Sequence, residues 1–291
     1  MATVLAFVAA FLLPGFTLTN AGPYGGQVWT GPMPLTDRPG EIYLPPAFQP
    51  AHRYPVVYLL HGLPGAPSEF VSGTNFVSWA DTEIGNGAVE PFIAVMPAAG
   101  SRQSYGGEWA GPWEHALVDG VVPFVDHTLP TIAAPRARIL AGLSAGGYGA
   151  LDIGLRHPDV FGTLESWSGY FTPLRDGPFK NASPKVLDAN NPTLLAPREA
   201  GALARTRFFV STGPYHSHLI KPAATLAFAF RLRRLGLHVA LDVVRQKRGE
   251  WSDQLDAGLG WALASPASST APTTTPPNAA IRAAPSAPAG R

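Results

Sequence analysis

Ser144 stands in the setting that is most informative about chemistry. It is the third residue of Gly-Leu-Ser-Ala-Gly-Gly at 142–147, which has the G-x-S-x-G spacing of a nucleophile elbow. An apolar run at 138–143 predicts a strand before it, and an amphipathic segment at 148–156 predicts a helix after it. On such a turn the hydroxyl projects out of the sheet while the glycines relieve crowding. Ser144 is therefore a candidate covalent nucleophile, and the competing interpretation is a Gly-rich turn with a capping serine.

A second loop has the composition needed to stabilise an oxyanion. A predicted strand at 54–60 ends in His-Gly-Leu-Pro-Gly at 61–65. Beside a nucleophile elbow, the loop after such a strand gives one backbone N–H, and the residue after the nucleophile gives the other. Pro64 has no N–H, so the predicted donors are the amides of Leu63 and Ala145. The alternative is an ordinary Gly/Pro turn.

Strands and helices alternate along the chain, which predicts one α/β domain with a mostly parallel sheet covered by helices on both faces. Active sites on such sheets lie beyond the carboxyl ends of the strands. Strands are predicted within 26–44 and at 54–60, 91–96, 138–143, 161–168, 206–212 and 237–244, and helices at 113–128, 148–156, 223–235 and 252–263.

Composition limits the classes of function. The 291 residues carry a formal net charge of +1, so nothing indicates a nucleic-acid partner. The chain has no cysteine, which excludes disulfides, thiolate metal sites and a cysteine nucleophile. We expect no nucleic-acid partner, and chemistry through a covalent intermediate on Ser144 would need no cofactor.

The two ends differ in composition from the middle. The first 36 residues contain no charged side chain, and residues 4–13 are continuously apolar, which favours a signal peptide or a membrane anchor over residues 1–24. Residues 265–291 are rich in Ala, Pro, Ser and Thr and predict a disordered tail. The folded domain is then expected at 25–264, in a protein that is secreted or associated with the cell envelope.

A series of motifs is spread along the predicted domain. In chain order they are His-Gly-Leu-Pro-Gly at 61–65, Val-Met-Pro at 95–97, Glu-Trp and Trp-Glu within 108–114, Gly-Leu-Ser-Ala-Gly-Gly at 142–147 and His-Pro-Asp-Val-Phe at 157–161. These motifs, in this order, resemble the esterase family that includes esterase D (S-formylglutathione hydrolase), feruloyl-type esterases and the mycobacterial mycolyltransferases. The resemblance covers nearly all of 25–264 and implies an α/β-hydrolase fold and acyl-ester chemistry.

The chain departs from the family in the two loops that complete the catalytic triad. In the family the acid follows the next-to-last strand and the histidine follows the last one. Here no Asp or Glu occurs between Ala200 and Leu241, and no histidine occurs after His238. The inherited triad therefore cannot be assembled from this sequence.

Three hypotheses remain. In the first, the two loops exchange roles, because His216 and His218 follow the next-to-last strand and Glu250 follows the last one. Triads are recognised by geometry rather than chain order, so either histidine could serve as base to Ser144 with Glu250 as the acid, and Asp253 as a weaker candidate acid. In the second, the histidine is the same but the acid comes from Asp176 or Asp188. In the third, the triad has decayed, and an inactive esterase-fold protein serves as a binding module at the cell envelope.

The His-x-His spacing of His216 and His218 also allows a metal site, but no third ligand stands nearby in the sequence. The expected function is that of a serine esterase or acyltransferase acting through a Ser144 acyl-enzyme. Its substrate would be a small-molecule, lipid or glycan ester.

Overall fold

Nine strands form one sheet and eight helices pack around it in the computed structural model, which describes residues 12–100, 108–214, 219–245 and 250–265. The strands are β1 Thr17–Ala21, β2 Gln27–Gly31, β3 Gly40–Leu44, β4 Val56–Leu60, β5 Ile93–Met96, β6 Arg138–Leu143, β7 Thr163–Trp167, β8 Arg207–Thr212 and β9 His238–Val243. The helices are α1 Phe76–Gly85, α2 Pro112–His115, α3 Val122–Thr128, α4 Ala145–Arg156, α5 Pro184–Ala189, α6 Pro192–Glu199, α7 Pro222–Arg234 and α8 Glu250–Leu263.

The order of strands across the sheet is β1-β2-β3-β5-β4-β6-β7-β8-β9. From β5 to β9 every neighbouring pair is parallel, and the pairs at the β1 edge are antiparallel. The prediction of a mostly parallel α/β sheet is therefore confirmed. Leu60 pairs with Gly142, and Leu143 and Ser211 both pair with Trp167, so β4, β6, β7 and β8 end at the same edge.

The two faces of the sheet carry separate apolar clusters. Alternate residues of β4 point to opposite faces, with Tyr58 in one cluster and Val57 in the other. Helices α3, α4 and α7 cover the first face, and α1 and α8 cover the second. Both faces of the central strands are thus buried, as their continuous apolar sequences require.

The structure corrects the predicted start of the folded domain. Strand β1 pairs with β2, and the side chains of Leu13 and Phe16 are buried in the core, where Phe16 stacks on Phe124 with ring centroids 6.2 Å apart. Residues 12–24 therefore belong to the domain that composition alone places at 25–264. An uncharged apolar segment has the composition of a leader, but here its large side chains fill space against α3.

Residues 1–11 and 266–291 lie outside the described residues, so the leader and the tail stay predictions. No helix among the residues that the structure describes is long and apolar enough to cross a membrane.

The segment at 171–191, which follows β7, contains a short turn of helix at Gly177–Phe179 and the helix α5. We call residues 171–199, which include α5 and α6, the insert. The predicted helix at 113–128 is divided into α2, a π-helical turn at Ala116–Val121 and α3.

Candidate active site

Ser144 forms the turn between β6 and α4. Its φ of 53° and ψ of −114° lie in a region that residues with a side chain rarely adopt. Its backbone N–H donates to the carbonyl of Trp167 at 2.9 Å, and its own carbonyl accepts from Tyr148 N–H at 3.1 Å. The residue itself is partly exposed. An accessible serine held in a strained turn between a strand and a helix has the geometry of a nucleophile elbow.

Two glycines make this turn possible by allowing backbone to approach backbone. A Cβ on Gly146 would lie 1.8 Å from the carbonyl oxygen of Leu60, and a Cβ on Gly142 would lie 2.4 Å from Gly146. The first turn of α4 therefore packs directly on the ends of β4 and β6. Side chains at these positions would push the helix, and with it Ser144, away from the sheet.

The loop after β4 lies beside Ser144. A Cβ on Gly62 would lie 3.6 Å from the Cβ of Ser144. Leu63 packs against the cluster that contains Ala145, so the two predicted oxyanion donors belong to neighbouring segments. Ala145 is the first residue of α4, and its N–H has no acceptor one turn earlier in the helix. Such an amide is available to an external oxygen atom.

His61, at the start of this loop, is a buried structural residue. Its Nε2 accepts from the backbone N–H of Ala99 at 3.1 Å, and its Nδ1 lies 2.7 Å from the carbonyl oxygen of Gly62. Burial lowers the pKa of His61 to about 4, so the ring is neutral and Nδ1 carries the proton that it donates to Gly62. Both ring nitrogens are therefore occupied, and His61 has none left to act as a base.

Arg38 ties the same loop to the segment after β5. Its Nη1 donates to the carbonyl of Ala99 at 2.9 Å and to that of Gly65 at 3.3 Å. On the other side of the loop, the backbone amides of Gly62 and Ala66 form hydrogen bonds with the Glu69 carboxylate. Burial raises the pKa of Glu69, and these hydrogen bonds oppose that shift. The loop that carries Leu63 is thus held from two sides.

The carboxylate of Glu250 lies at the carboxyl end of the sheet, where sequence reasoning places the acid. Glu250 is buried, and its Oε1 accepts from Ser168 Oγ at 3.2 Å and from Gln254 Nε2 at 3.2 Å. A Cβ on Gly213 would lie 2.1 Å from the same oxygen, so the carboxylate packs directly on the residue after β8. Ser144, Ser168 and Gly213 each lie just beyond the end of one of three neighbouring strands.

Sequence reasoning missed the residues that hold this carboxylate. Ser211 Oγ donates to Gln254 Oε1 at 2.7 Å, and Ser168 Oγ lies within 3.1 Å of the same amide group. Neutral polar residues such as these carry no motif, and the only available signal was the i, i+4 spacing of Glu250 and Gln254 on one helix face.

His216 and His218 lie outside the described residues, so the structure does not place the predicted base. The weaker acid candidates are described. Asp253 is exposed on α8, and Asp188 is exposed on α5. Asp176 is exposed in the insert, where its charge raises the pKa of Glu108. Among the described residues, no group of three His, Asp or Glu side chains is arranged to hold a metal ion.

A buried polar cluster joins the insert to the helix that begins at Ser144. The Tyr170 hydroxyl lies 2.6 and 2.7 Å from the two carboxyl oxygens of Glu108. The pKa of Glu108 is raised to about 8, mainly by burial, which the Tyr170 hydrogen bond opposes and the nearby Asp176 reinforces. Tyr148 of α4 stacks on Tyr170 with centroids 5.2 Å apart, and its hydroxyl donates to the carbonyl of Asn190 at 2.7 Å. The insert is therefore anchored on α4.

Comparison with known proteins places this arrangement in a family. The family model described as "Putative esterase" matches residues 34–262. An endo-1,4-beta-xylanase/feruloyl esterase of Xylanibacter ruminicola is 33% identical over 147 residues, which are 44% of this chain and 19% of that protein. An esterase of Mycobacterium tuberculosis is 30% identical over 164 residues, which are 53% of this chain and 35% of that protein. The chain thus matches about a third or less of the length of these curated relatives.

A solved structure gives the same result for the fold. A ferulic acid esterase superimposes with a TM-score of 0.71 at 20% identity, over 82% of this chain and 98% of that one. Together with the parallel sheet and the elbow at Ser144, these matches confirm the expected fold and the expected family. The chain belongs to the esterase family of α/β-hydrolases.

Proposed function

We propose that the chain is a serine carboxylic-ester hydrolase or acyltransferase that acts through a Ser144 acyl-enzyme. The observation that carries this proposal is the backbone of Ser144. This residue is strained at φ 53°, partly exposed, and adjacent to the loop at Gly62. Strain at an accessible serine on a buried scaffold is typical of a functional residue. Membership of the esterase family supports the same chemistry.

In the proposed mechanism Ser144 Oγ attacks the carbonyl carbon of the ester, and its proton passes to the imidazole of His216 or His218. The amides of Leu63 and Ala145 stabilise the oxyanion. When this tetrahedral intermediate collapses, the carbonyl re-forms and the bond to the alcohol breaks. The alcohol leaves with the proton from the imidazolium, and the acyl group stays on Ser144. Water or a second alcohol then attacks the acyl-enzyme by the same route and releases Ser144.

Glu250 is proposed to hold the imidazole in its useful tautomer and to stabilise the imidazolium. Support comes from its position against Gly213, because His216 is three residues further along the chain. Three residues span at most about 11 Å, so the loop that carries both histidines starts within reach of the Glu250 carboxylate. Burial and the hydrogen bonds from Ser168 and Gln254 favour Glu250 over the exposed Asp253, Asp176 and Asp188.

Labelling with a fluorophosphonate probe tests the nucleophile. We expect the wild-type protein to be labelled on Ser144, and we expect the Ser144→Ala variant to remain unlabelled while its circular dichroism spectrum is unchanged. The matched control is Ser72→Ala, which removes an exposed serine hydroxyl elsewhere on the fold. Folded wild-type protein that takes up no label would contradict the proposal and favour the inactive binding module.

We also propose that the protein acts outside the cytoplasm, secreted or bound to the cell envelope. The uncharged apolar segment at 4–13 supports this. Because Leu13 and Phe16 pack in the core, a cleaved leader would have to end before them. Sequencing the N-terminus of the exported protein tests where a leader ends, and cleavage after residue 16 would contradict the packing of Leu13 and Phe16. Fractionation of cells that express the chain tests export, and a protein retained in the cytoplasm would contradict it.

A further inference from the structure

A cleft of about 830 Å³ lies between the insert and α7. Its apolar wall is formed by Ala224, Ala227 and Phe228, whose spacing places them on one face of α7, and by Leu235, which follows the helix. Phe171 of the insert stacks on Phe228 with ring centroids 4.4 Å apart, which packs the insert against α7. The volume lies within the range of about 300–1,000 Å³ that is usual for small-molecule sites.

The charge of the cleft has one sign. Lys221, Arg231 and Arg234 line it, and none of its described lining residues is Asp or Glu. Arg231 donates to the carbonyl of Thr193 at 3.0 Å, which ties α7 to the insert. A cleft lined by apolar side chains and three cations complements a ligand that has an apolar body and an anionic group.

The cleft adjoins the candidate active site. Tyr170, Leu174 and Leu219 line it, and the same side chains belong to the apolar cluster that contains Ala145 and Leu63. A ligand in the cleft would therefore contact side chains that also pack against the two segments carrying the proposed oxyanion donors. This continuity distinguishes the cleft from an isolated surface depression.

We infer that the cleft binds a part of the ester substrate that is apolar and carries an anionic group, such as an alkyl or aryl chain that ends in a carboxylate. The assignment of the bound group to the ester substrate rests on the proposed function. The binding of such an anionic amphiphile rests on the cleft alone.

Binding is tested with monomeric 11-(dansylamino)undecanoic acid, followed by the rise in dansyl fluorescence, in wild-type and Ser144→Ala protein. We expect both proteins to bind it equally. The methyl ester of the probe should bind about three- to ten-fold more weakly, and raising the salt from 0.05 to 0.5 M should weaken only the acid.

Variants of α7 locate the bound probe. Ala227→Trp fills the cleft and should weaken binding at least ten-fold, whereas Ala223→Trp, on an exposed position of the same helix outside the cleft, should not.

A second pair of variants tests the charge of the cleft. Arg234→Gln should weaken binding several-fold, and Arg233→Gln, the neighbouring arginine outside the cleft, should have no effect. Binding of the probe by Ala227→Trp as tightly as by the wild type overturns the inference. Binding only to phosphatidylglycerol vesicles, and not to the monomeric probe, overturns it in favour of a membrane surface.

Kinetics test whether the bound group belongs to the substrate. We expect the probe to raise the KM for p-nitrophenyl butyrate without changing kcat, and Ala227→Trp to abolish this inhibition. Binding in the cleft that leaves KM unchanged overturns the assignment to the substrate. If wild-type protein hydrolyses no ester, the proposed function fails, while the binding variants still decide whether the cleft takes an anionic amphiphile.

Discussion

Ser168 Oγ donates a hydrogen bond of 3.2 Å to Glu250 Oε1, which joins the end of β7 to the start of α8. Gln254 donates to the same oxygen from one turn further along the helix. Because Gly213 packs on that oxygen, the carboxylate is held in one position at the edge of the sheet where Ser144 lies. A carboxylate fixed in this way can orient an imidazole without moving itself.

Replacement of this carboxylate by a neutral amide should therefore remove the support for the proposed base. We expect Glu250→Gln to lower kcat for p-nitrophenyl butyrate by about 10²–10⁴-fold, because the amide cannot stabilise an imidazolium. Asp253→Asn, an exposed change on the same helix, should keep nearly full activity. Full activity in Glu250→Gln would contradict the exchanged triad and direct the search to Asp176 or Asp188.

The two histidines after β8 should not be equivalent, because only one can receive the proton from Ser144. We expect either His216→Ala or His218→Ala to reduce turnover as far as Ser144→Ala does, and the other to reduce it less than about ten-fold. His52→Ala, an exposed histidine elsewhere, is the control. Steady-state rates of the three variants show which histidine is the base. Small effects from both His216→Ala and His218→Ala would contradict a role of either as base.

The two carbonyls that Arg38 holds predict a positioning role for its guanidinium. We expect Arg38→Gln to lower kcat by about ten-fold with little change in KM, because the loop that carries the Leu63 amide loses a restraint. Arg53→Gln removes a similar bond to a backbone carbonyl, that of Thr131, away from this loop and should leave kcat unchanged. A change in KM alone would contradict the assignment.

Gly146 should tolerate no side chain. Since a Cβ there would lie 1.8 Å from the Leu60 carbonyl oxygen, we expect Gly146→Ala to lower the free energy of unfolding by more than about 3 kcal/mol or to prevent folding. At Gly260 in α8 a Cβ would meet nothing within 4 Å. Gly260→Ala should therefore raise the free energy of unfolding by about 0.5–1 kcal/mol. Urea denaturation measures both, and equal stability of the two variants would contradict the close approach of α4 to β4.

Glu165 should make stability depend on pH. The residue is fully buried in β7, and burial raises its pKa from 4.5 to about 8, opposed by the hydrogen bond from Trp167 and the charge of Arg207. Between about pH 4.5 and 8 the folded protein keeps this proton and the unfolded chain releases it. Unfolding is then favoured as pH rises, by about 1.4 kcal/mol per pH unit within that window.

Glu165→Gln should remove this dependence and be more stable than wild type at pH 8. Glu108 and Asp152, whose pKa values burial also raises, act in the same direction in both proteins, so the difference between the two proteins isolates Glu165. Glu90→Gln, an exposed change, is the control. Parallel pH profiles for wild type and Glu165→Gln would show that Glu165 does not titrate as expected.

The parts of the fold that the sequence predicts are those with strong local signals. Continuous apolar runs predict the strands at 54–60 and 138–143, and the glycines beside Ser144 predict the turn. Strand β1 was missed because its polar, exposed residues follow an apolar segment with the composition of a leader. The hydrogen bonds of Ser168 and Gln254 to Glu250 join residues more than 80 positions apart or depend on helix orientation, and no local pattern encodes them.

The anchoring of the insert through Tyr148 has a consequence for how relatives of this chain can diverge. The aromatic ring that stacks on Tyr170, and the hydroxyl that donates to Asn190, belong to the helix that begins at the nucleophile turn. The acceptor is a backbone carbonyl, so substitutions within the insert leave it in place, whereas a foreign insert with a different backbone path would leave the buried hydroxyl without an acceptor and disturb α4 itself. New substrate preferences on this scaffold should therefore arise by substitutions within the insert rather than by exchange of the whole segment.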